Sequence, residues 1–190
     1  MLSTAALAAL VTTGGASAQG WYVSVLGGTT FDAPHINVGA LRATPEVGFN
    51  GGGRLGYDLD DVMPWSGFSL EADVFYNQAH FAGTDTARRD SLSYMGNLIY
   101  HVPTGWPIGI YGGAGIGAVT SEAYTFDAHD TSTVLGWQAI GGVDYAISPD
   151  TKMFAEYRYQ QAHDANLNIP GTFRVGNTTN NLSVGVKFDL

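Results

Sequence analysis

Six charged side chains fall within stretches that otherwise alternate between apolar and polar residues, in a chain where only 13% of residues are charged. Charges removed from bulk water need partners of opposite sign, because an unpaired buried charge is strongly destabilising. The six comprise three bases and three acids, so they can form a near-neutral set in a shared interior: Arg54, Glu71, Asp73, Glu156, Arg158 and Lys187. They predict a salt-bridge network that fills a narrow interior, with Lys187 nearer one end and the other five near the middle. A gate for ions or a small polar solute and an acid–base catalytic pair are the alternatives.

Other kinds of chemistry find little support in the sequence. The chain has no cysteine, and its net charge of −9 argues against binding to nucleic acid phosphates. No G-x-S-x-G, P-loop or H-E-x-x-H motif occurs, and no nucleophile lies beside a base. The glycine-rich run 109–117 is followed by a second strand pattern rather than a helix, which excludes a nucleotide-binding loop. We therefore predict no enzymatic activity, no cofactor and no catalytic or metal-ligating residue.

Four of the five histidines are the remaining candidates for metal binding or pH sensing. They lie in or beside predicted loops with aspartates close by in the sequence: His35, His80, His129 and His163. Histidine with carboxylate can bind Zn²⁺ or respond to pH. The spacing follows no metal-site pattern, however, and a solvated acidic rim is the preferred interpretation.

The elements that must position the six charges are eight segments of strand character. Each has about 10–16 residues, which suits a tilted membrane-spanning strand better than the shorter strands of soluble proteins. Apolar residues recur at every second position, most clearly in the second, third, fourth, seventh and eighth segments. The segments are Trp21–Thr30, Val47–Leu59, Phe68–His80, Ser91–Val102, Ile108–Thr120, Ser132–Ile147, Lys152–His163 and Thr179–Leu190.

The connections between these segments alternate in length, beginning and ending with a long one. The long links are 31–46, 81–90, 121–131 and 164–178, and the short ones are 60–67, 103–107 and 148–151. Long loops at one end and tight turns at the other are typical of outer-membrane barrels, in which both termini are periplasmic. The pattern predicts an all-β fold, an eight-stranded antiparallel up-and-down transmembrane β-barrel with a lipid-facing apolar surface and a polar interior. A soluble lipocalin-like carrier is the rival fold.

Aromatic residues cluster near the predicted strand ends, as expected for girdles in the lipid headgroup layers. Seven lie at the end with the short turns and three toward the other end: Trp21, Tyr57, Trp65, Tyr100, Trp106, Tyr145 and Phe188, then Tyr76, Tyr94 and Tyr159. Residues 1–18 contain a short apolar run and end in Ala16-Ser17-Ala18, which predicts a signal peptide cleaved before Gln19, although it has no basic residue. Residues 19–190 would then form one barrel domain.

The last predicted strand places Leu182, Val184, Val186 and Phe188 on one face. With the Gly20-Trp21-Tyr22 opening and the pieces FAEYRY (154–159) and NLSVGVKF (181–188), the mature chain resembles the small eight-stranded outer-membrane barrels of the opacity-type and OmpA-like group. The resemblance implies insertion by the barrel-assembly machinery, which reads a last strand with an aromatic residue, here Phe188. It also implies contact with outer-membrane lipid and lipopolysaccharide.

The expected function is structural, with surface display and a possible extracellular partner bound through the loops. A narrow porin-like channel for ions or small polar solutes is the alternative, although eight strands leave an interior that side chains just fill. A lipid-modifying enzyme is the third hypothesis. The sequence contains no His-x-Ser pair for such chemistry.

Overall fold

Eight β-strands form the whole of the regular structure in the computed structural model, which describes residues 20–32, 47–60, 67–80, 88–125, 128–162 and 177–190. All eight predicted strands are confirmed. The predicted signal peptide, 1–18, lies outside the described residues. The strands are β1 (Trp21–Asp32), β2 (Val47–Asp58), β3 (Phe68–His80), β4 (Arg88–Val102), β5 (Ile108–Thr125), β6 (Ala128–Ser148), β7 (Thr151–Ala162) and β8 (Asn177–Asp189).

The strands pair antiparallel in chain order, and β8 returns to β1 to close the barrel. The closing ladder runs from the Tyr22–Asp189 pair to the Asp32–Thr179 pair. At its end, the Leu190 N–H donates to the Trp21 carbonyl at 2.9 Å. Closure satisfies the backbone polar groups that an open sheet edge would leave unpaired. Within the described residues there is no helix of the length and apolarity needed to cross a membrane.

Side chains at alternate positions of a strand face the outside and the inside of the barrel, as the period-two pattern of the sequence predicts. On β3, Leu70 and Val74 are 52% and 42% exposed, whereas Glu71 and Asp73 are 6% and 3% exposed. β4, β7 and β8 alternate in the same way along their lengths. Large apolar side chains therefore cover the outside and polar side chains fill the inside, as the sequence predicts for a membrane barrel.

One residue departs from the predicted faces. Leu59 was expected on the apolar outer face of the second strand, but it is 7% exposed. It lies one residue beyond the end of β2, where its N–H donates to the Phe68 carbonyl at 2.8 Å. The alternation of strand faces ends with the strand, so Leu59 is free to turn into the protein.

The predicted long link 121–131 is wrong. β5 continues to Thr125 and β6 begins at Ala128, so these strands have 18 and 21 residues and leave only 126–127 between them. The pairing extends without interruption from Ile108–Tyr145 to Thr125–Ala128. Polar residues such as Ser121, Asp130 and Thr131 suggest a loop by composition, yet the long ladder pairs Ser121 with Ser132 and Thr131 with Glu122.

Aromatic side chains surround the end of the barrel that carries the short turns 103–107 and 149–150. Trp21 packs against Tyr57 with ring centroids 5.1 Å apart, and Phe68 packs against Tyr100 at 4.8 Å. Trp106, in a short turn, is the most exposed large apolar residue described, at 77%. Trp65 lies outside the described residues. This arrangement matches the predicted girdle at that end.

Candidate functional site in the barrel interior

Arg54 and Glu156 form the central contact of the interior. Arg54 projects inward from β2 and donates two hydrogen bonds to the Glu156 carboxylate of β7, at 2.9 and 2.8 Å. β2 and β7 are separated in the sheet by β1 and β8, so this contact crosses the interior. Arg54 Nη1 also lies 3.5 Å from Glu71 Oε2. A paired, bidentate geometry offsets much of the cost of removing both charges from water.

Arg158 provides the second centre of positive charge. Its Nη2 atom lies 3.1 Å from Asp73 Oδ2 and 3.1 Å from Glu156 Oε1. The two arginines therefore share Glu156, and each also contacts an acid of β3. We call Arg54, Glu71, Asp73, Glu156 and Arg158 the interior network. All five predicted residues are brought together, and their side chains are 1–4% exposed.

Two tyrosines complete the network, and sequence reasoning missed both. The Tyr22 hydroxyl donates to Glu71 Oε1 at 2.8 Å, and the Tyr111 hydroxyl donates to Glu156 Oε2 at 3.1 Å. These bonds compensate the excess acid in a set of two bases and three acids. Neither tyrosine has a carboxylate two positions away on its own strand, so the sequence pattern offers no signal beyond an inward-facing position, and the pairing register is needed to show which residues meet.

Glycine makes the position of each tyrosine possible. Tyr22 is paired with Gly56 across β1 and β2, and Tyr111 is paired with Gly142 across β5 and β6. A Cβ atom added at either glycine would overlap the tyrosine ring. Each ring therefore lies directly over a strand backbone, with its hydroxyl extended toward the network. The many glycines of these strands serve close packing in the interior as well as bending.

Two amides extend the network from Asp73, one on the neighbouring strand β4 and one on β6. Asn97 Nδ2 donates to Asp73 Oδ2 at 3.0 Å, and Gln138 Nε2 lies 3.2 Å from the same oxygen and 2.6 Å from Asn97 Oδ1. Some buried atoms have no hydrogen-bond partner within the described part of the chain, among them Asp73 Oδ1, Gln138 Oε1 and Arg158 Nη1. These atoms mark the part of the network with the greatest capacity for further polar contacts.

Lys187 lies apart from the network and nearer one end of the barrel, as the sequence predicts, so it takes no part in the expected balance of three bases against three acids. Its ammonium is 3.6 Å from Asp58 and 3.5 Å from Asp189, near the end with the short turns. It also lies 3.5 Å from the centre of the Tyr22 ring. The two aspartates are about one-third exposed, so this pair is partly solvated. The cluster therefore contains two arginines and three acids.

Apolar side chains enclose the network on the inside of the barrel. Arg158 lies 4.1 Å above the Phe75 ring and Arg54 lies 5.4 Å above the Phe154 ring, within the range of cation–π contacts. These rings belong to one buried cluster with residues from six strands: Leu26, Phe75, Ile99, Tyr111, Ile140 and Phe154. Such enclosure keeps the ion pairs away from bulk water and strengthens their electrostatic attraction.

A second, uncharged polar layer lies toward the other end of the barrel. Thr30 Oγ1 is 2.7 Å from Asn181 Oδ1, and Asn50 Nδ2 donates to the Thr29 carbonyl at 2.7 Å. Ser183 donates to Asn50 Oδ1 at 2.9 Å. Thr30, Asn50 and Asn181 are fully buried. The interior therefore contains a charged layer, the interior network, and an uncharged polar layer nearer the other end of the barrel.

The predicted outer face of β8 is present. Leu182, Val184 and Phe188 are 50%, 63% and 41% exposed, and Val186 lies on the same side. Of the histidines considered for metal binding, His35 and His163 lie outside the described residues. No group of three or more histidine or acidic side chains suited to a metal ion occurs in the described ranges.

A closed barrel with an apolar outside and a charged, enclosed inside defines a small membrane-embedded β-barrel protein. The model of the outer membrane protein beta-barrel domain family matches residues 1–188, and the chain belongs to this family. Its location is therefore the outer membrane. No curated protein matches the chain in sequence.

Solved structures support the same fold. The chain is similar to Neisserial surface protein A, with 21% identity and a TM-score of 0.65 over 90% of this chain and 97% of that one. It is similar to Ail, the attachment invasion locus protein of Yersinia pestis, with 12% identity and a TM-score of 0.54 over 89% and 97%. It is also similar to the outer membrane enzyme PagL, with 18% identity and a TM-score of 0.51 over 90% and 98%. At these identities the likeness concerns the fold alone.

Proposed function

We propose that this barrel is a structural protein of the outer membrane that displays its long strands and loops at the cell surface. The observation that carries this proposal is the Arg54–Glu156 contact, which joins β2 and β7 across the interior through two hydrogen bonds. Two arginines, three acids and two tyrosine rings occupy the interior at this level, which supports a lumen closed to solutes. The interior then acts as a salt-bridge plug that holds the walls together.

The β5–β6 hairpin is the main element for display in this proposal. These strands extend well beyond the last β6–β7 pair in the described ladder, Gly136–Ala162. The outward residues change from Leu135 to Thr133 and Thr131, so the upper part is polar. A polar hairpin above an apolar wall suits contact with an extracellular partner. Lipid and lipopolysaccharide are the proposed partners of the wall itself.

The orientation follows from the same reasoning. The N-terminal side of β1 and the C-terminal side of β8 meet at the end with the short turns. We place this end in the periplasm, with both termini, and the β5–β6 hairpin outside the cell. We also propose that Leu182, Val184, Val186 and Phe188 form the strand face read by the barrel-assembly machinery.

An epitope tag inserted between residues 126 and 127 tests the display and orientation. We expect antibody to label intact cells carrying this tag, and a tag after Leu190 to be labelled only after the outer membrane is opened. The control is a tag in the short turn between Pro149 and Asp150, which should behave like the terminal tag. Labelling of the terminal tag on intact cells would contradict the orientation.

A narrow channel is the second candidate. The buried polar atoms around Asp73 and Arg158 that lack partners in the described residues favour it, because water could use them as a path. Planar-bilayer recording of refolded protein separates the two functions. Steady wild-type channels whose conductance changes in an Arg54→Met variant would establish the pore and refute the plug. Absence of steady channels in folded wild-type protein supports the plug.

A lipid-modifying activity has weaker support. The likeness to PagL is at 18% identity, and the chain has no His-x-Ser pair that could place a base beside a nucleophile on the outer face. We therefore propose a role without catalysis. Incubation of refolded protein with lipopolysaccharide, followed by mass analysis of lipid A, should show no loss of acyl chains.

A further inference from the structure

A hollow lies in the outer wall of the barrel, in the part of the chain that the structure describes. It has a volume of about 430 Å³ and lies where small residues on β4 and β5 interrupt the large apolar side chains. The outward-facing residues that line it are Leu70, Gly96, Leu98, Ala114, Ile116 and Trp137. Its only charged lining residue among those described is Glu71, whose side chain is buried in the interior network.

The pairing register explains how the hollow forms. Leu98 is paired with both Leu70 and Ala114. At the next outward-facing position along these strands, two residues away, Gly96 is paired with Ile116, and Ile116 with Trp137. Gly96 and Ala114 therefore occupy the centre of a patch bordered by large side chains. A Cβ atom at Gly96 would meet nothing closer than the Ile116 carbonyl oxygen at 4.0 Å, so the space above it is open.

We propose that this hollow retains one acyl chain of a phospholipid from the surrounding bilayer. The hollow is continuous with the lipid-facing wall, and its outer border is uncharged, which suits a hydrocarbon chain rather than a headgroup. Lipid tails are as apolar as leucine, so shape and van der Waals contact decide where a chain stays on the wall. A chain in the hollow contacts protein on several sides, whereas a chain on a flat or convex wall contacts it on one.

The size of the hollow fits this occupant. It crosses β3, β4, β5 and β6, and four neighbouring strands span about 14 Å at about 4.8 Å per step. This length accommodates the greater part of an extended fatty acyl chain. Trp137 stands at one border, where it packs against Tyr159 with ring centroids 5.4 Å apart. This tilted ring contact restricts the indole and keeps that border of the hollow in place.

Photo-crosslinking in nanodiscs tests the proposal. The probe is a phosphatidylethanolamine with a diazirine in one acyl chain, diluted into unlabelled phospholipid. We expect peptides containing Gly96, Leu98 and Ile116 to be labelled about fivefold more than the peptide containing Val184 on β8, because the held chain has more contacts. Gly96→Leu should abolish this preference, since the new side chain fills the hollow, and Ala114→Leu should do the same.

Gly141→Leu is the matched control. Gly141 also faces outward, has nothing within 4 Å of a built Cβ, and lies outside the lining of the hollow. It should leave the labelling preference unchanged. Heat-dependent gel migration verifies that each variant is folded. If either Gly96→Leu or Ala114→Leu fails to fold, the other variant still tests the proposal. Even labelling around the wall, or an equal loss of preference in Gly141→Leu, would overturn the proposal.

Discussion

Arg54 and Glu156 are 102 positions apart in the chain, yet their side chains meet in the barrel interior through hydrogen bonds of 2.9 and 2.8 Å. The residue paired with Arg54 across the β2–β3 ladder is Asp73, which instead contacts Arg158. The network thus contains contacts across the interior as well as between neighbouring strands, such as Arg54 with Glu71. Its ion pairs connect side chains of β2, β3 and β7 and so hold these three strands together around the interior.

Loss of Arg54 should strongly destabilise the folded barrel. Arg54→Met leaves Glu156 and Glu71 buried with less positive charge, and breaking a buried ion pair in this way costs about 3–5 kcal/mol. Urea unfolding in detergent micelles or lipid vesicles measures the change. The double variant Arg54→Met/Glu156→Leu should lose less than the sum of the two single variants, because it removes both charges. Full additivity would show that the two side chains do not interact energetically.

Removal of Lys187 should cost much less than removal of Arg158. The acids beside Lys187 are about one-third exposed, and partly solvated ion pairs contribute up to about 1 kcal/mol. Arg158→Met removes a fully buried guanidinium that contacts two acids and the Phe75 ring, so we expect about 3–5 kcal/mol. Unfolding both variants under identical conditions provides the comparison. Equal losses would mean that Lys187 belongs energetically to the interior network after all.

Replacing Gly142, the glycine beneath the Tyr111 ring, by alanine should destabilise the folded barrel. In Gly142→Ala the new Cβ overlaps the Tyr111 ring, and overpacking of this kind costs about 1–3 kcal/mol. Gly141→Ala, one residue away on the opposite face, meets no atom within 4 Å and should change stability by about 0.5 kcal/mol or less. Thermal and urea unfolding of the two variants check the difference. A neutral Gly142→Ala would indicate that the ring can move without loss.

An arginine on the outer wall should lower the free energy of unfolding strongly at the middle of the apolar band and only slightly beyond that band. Val184 is 63% exposed near the middle of β8, where arginine in a membrane barrel costs about 2–4 kcal/mol. Thr133 is also exposed but lies beyond the apolar band on β6, where the cost should be about 0–1 kcal/mol. Folding yield and unfolding in lipid vesicles measure Val184→Arg and Thr133→Arg. Comparable effects at the two positions would contradict the assignment of the apolar band to lipid.

The sequence by itself determined the eight strands, their outer and inner faces and the candidates for the interior charges. Alternation with period two is a local property: each strand residue points to the side opposite its neighbour, and this can be followed without knowing any partner strand. For that reason Glu71 and Asp73 were assigned inward and Leu70 and Val74 outward. The local pattern became unreliable where strands end, as Leu59 and the extended β5–β6 hairpin show.

Only the tertiary structure decided which of these residues interact. Closure leaves only β1 and β8 between β2 and β7, so Arg54 meets Glu156 across the interior, while the same closure leaves Lys187 beside Asp58 and Asp189 at one end. The register also sets Tyr22 over Gly56 and Tyr111 over Gly142, which places the two hydroxyls on the carboxylates. A contact across the interior depends on barrel diameter, strand stagger and side-chain length together, and none of these is encoded at one position of the chain.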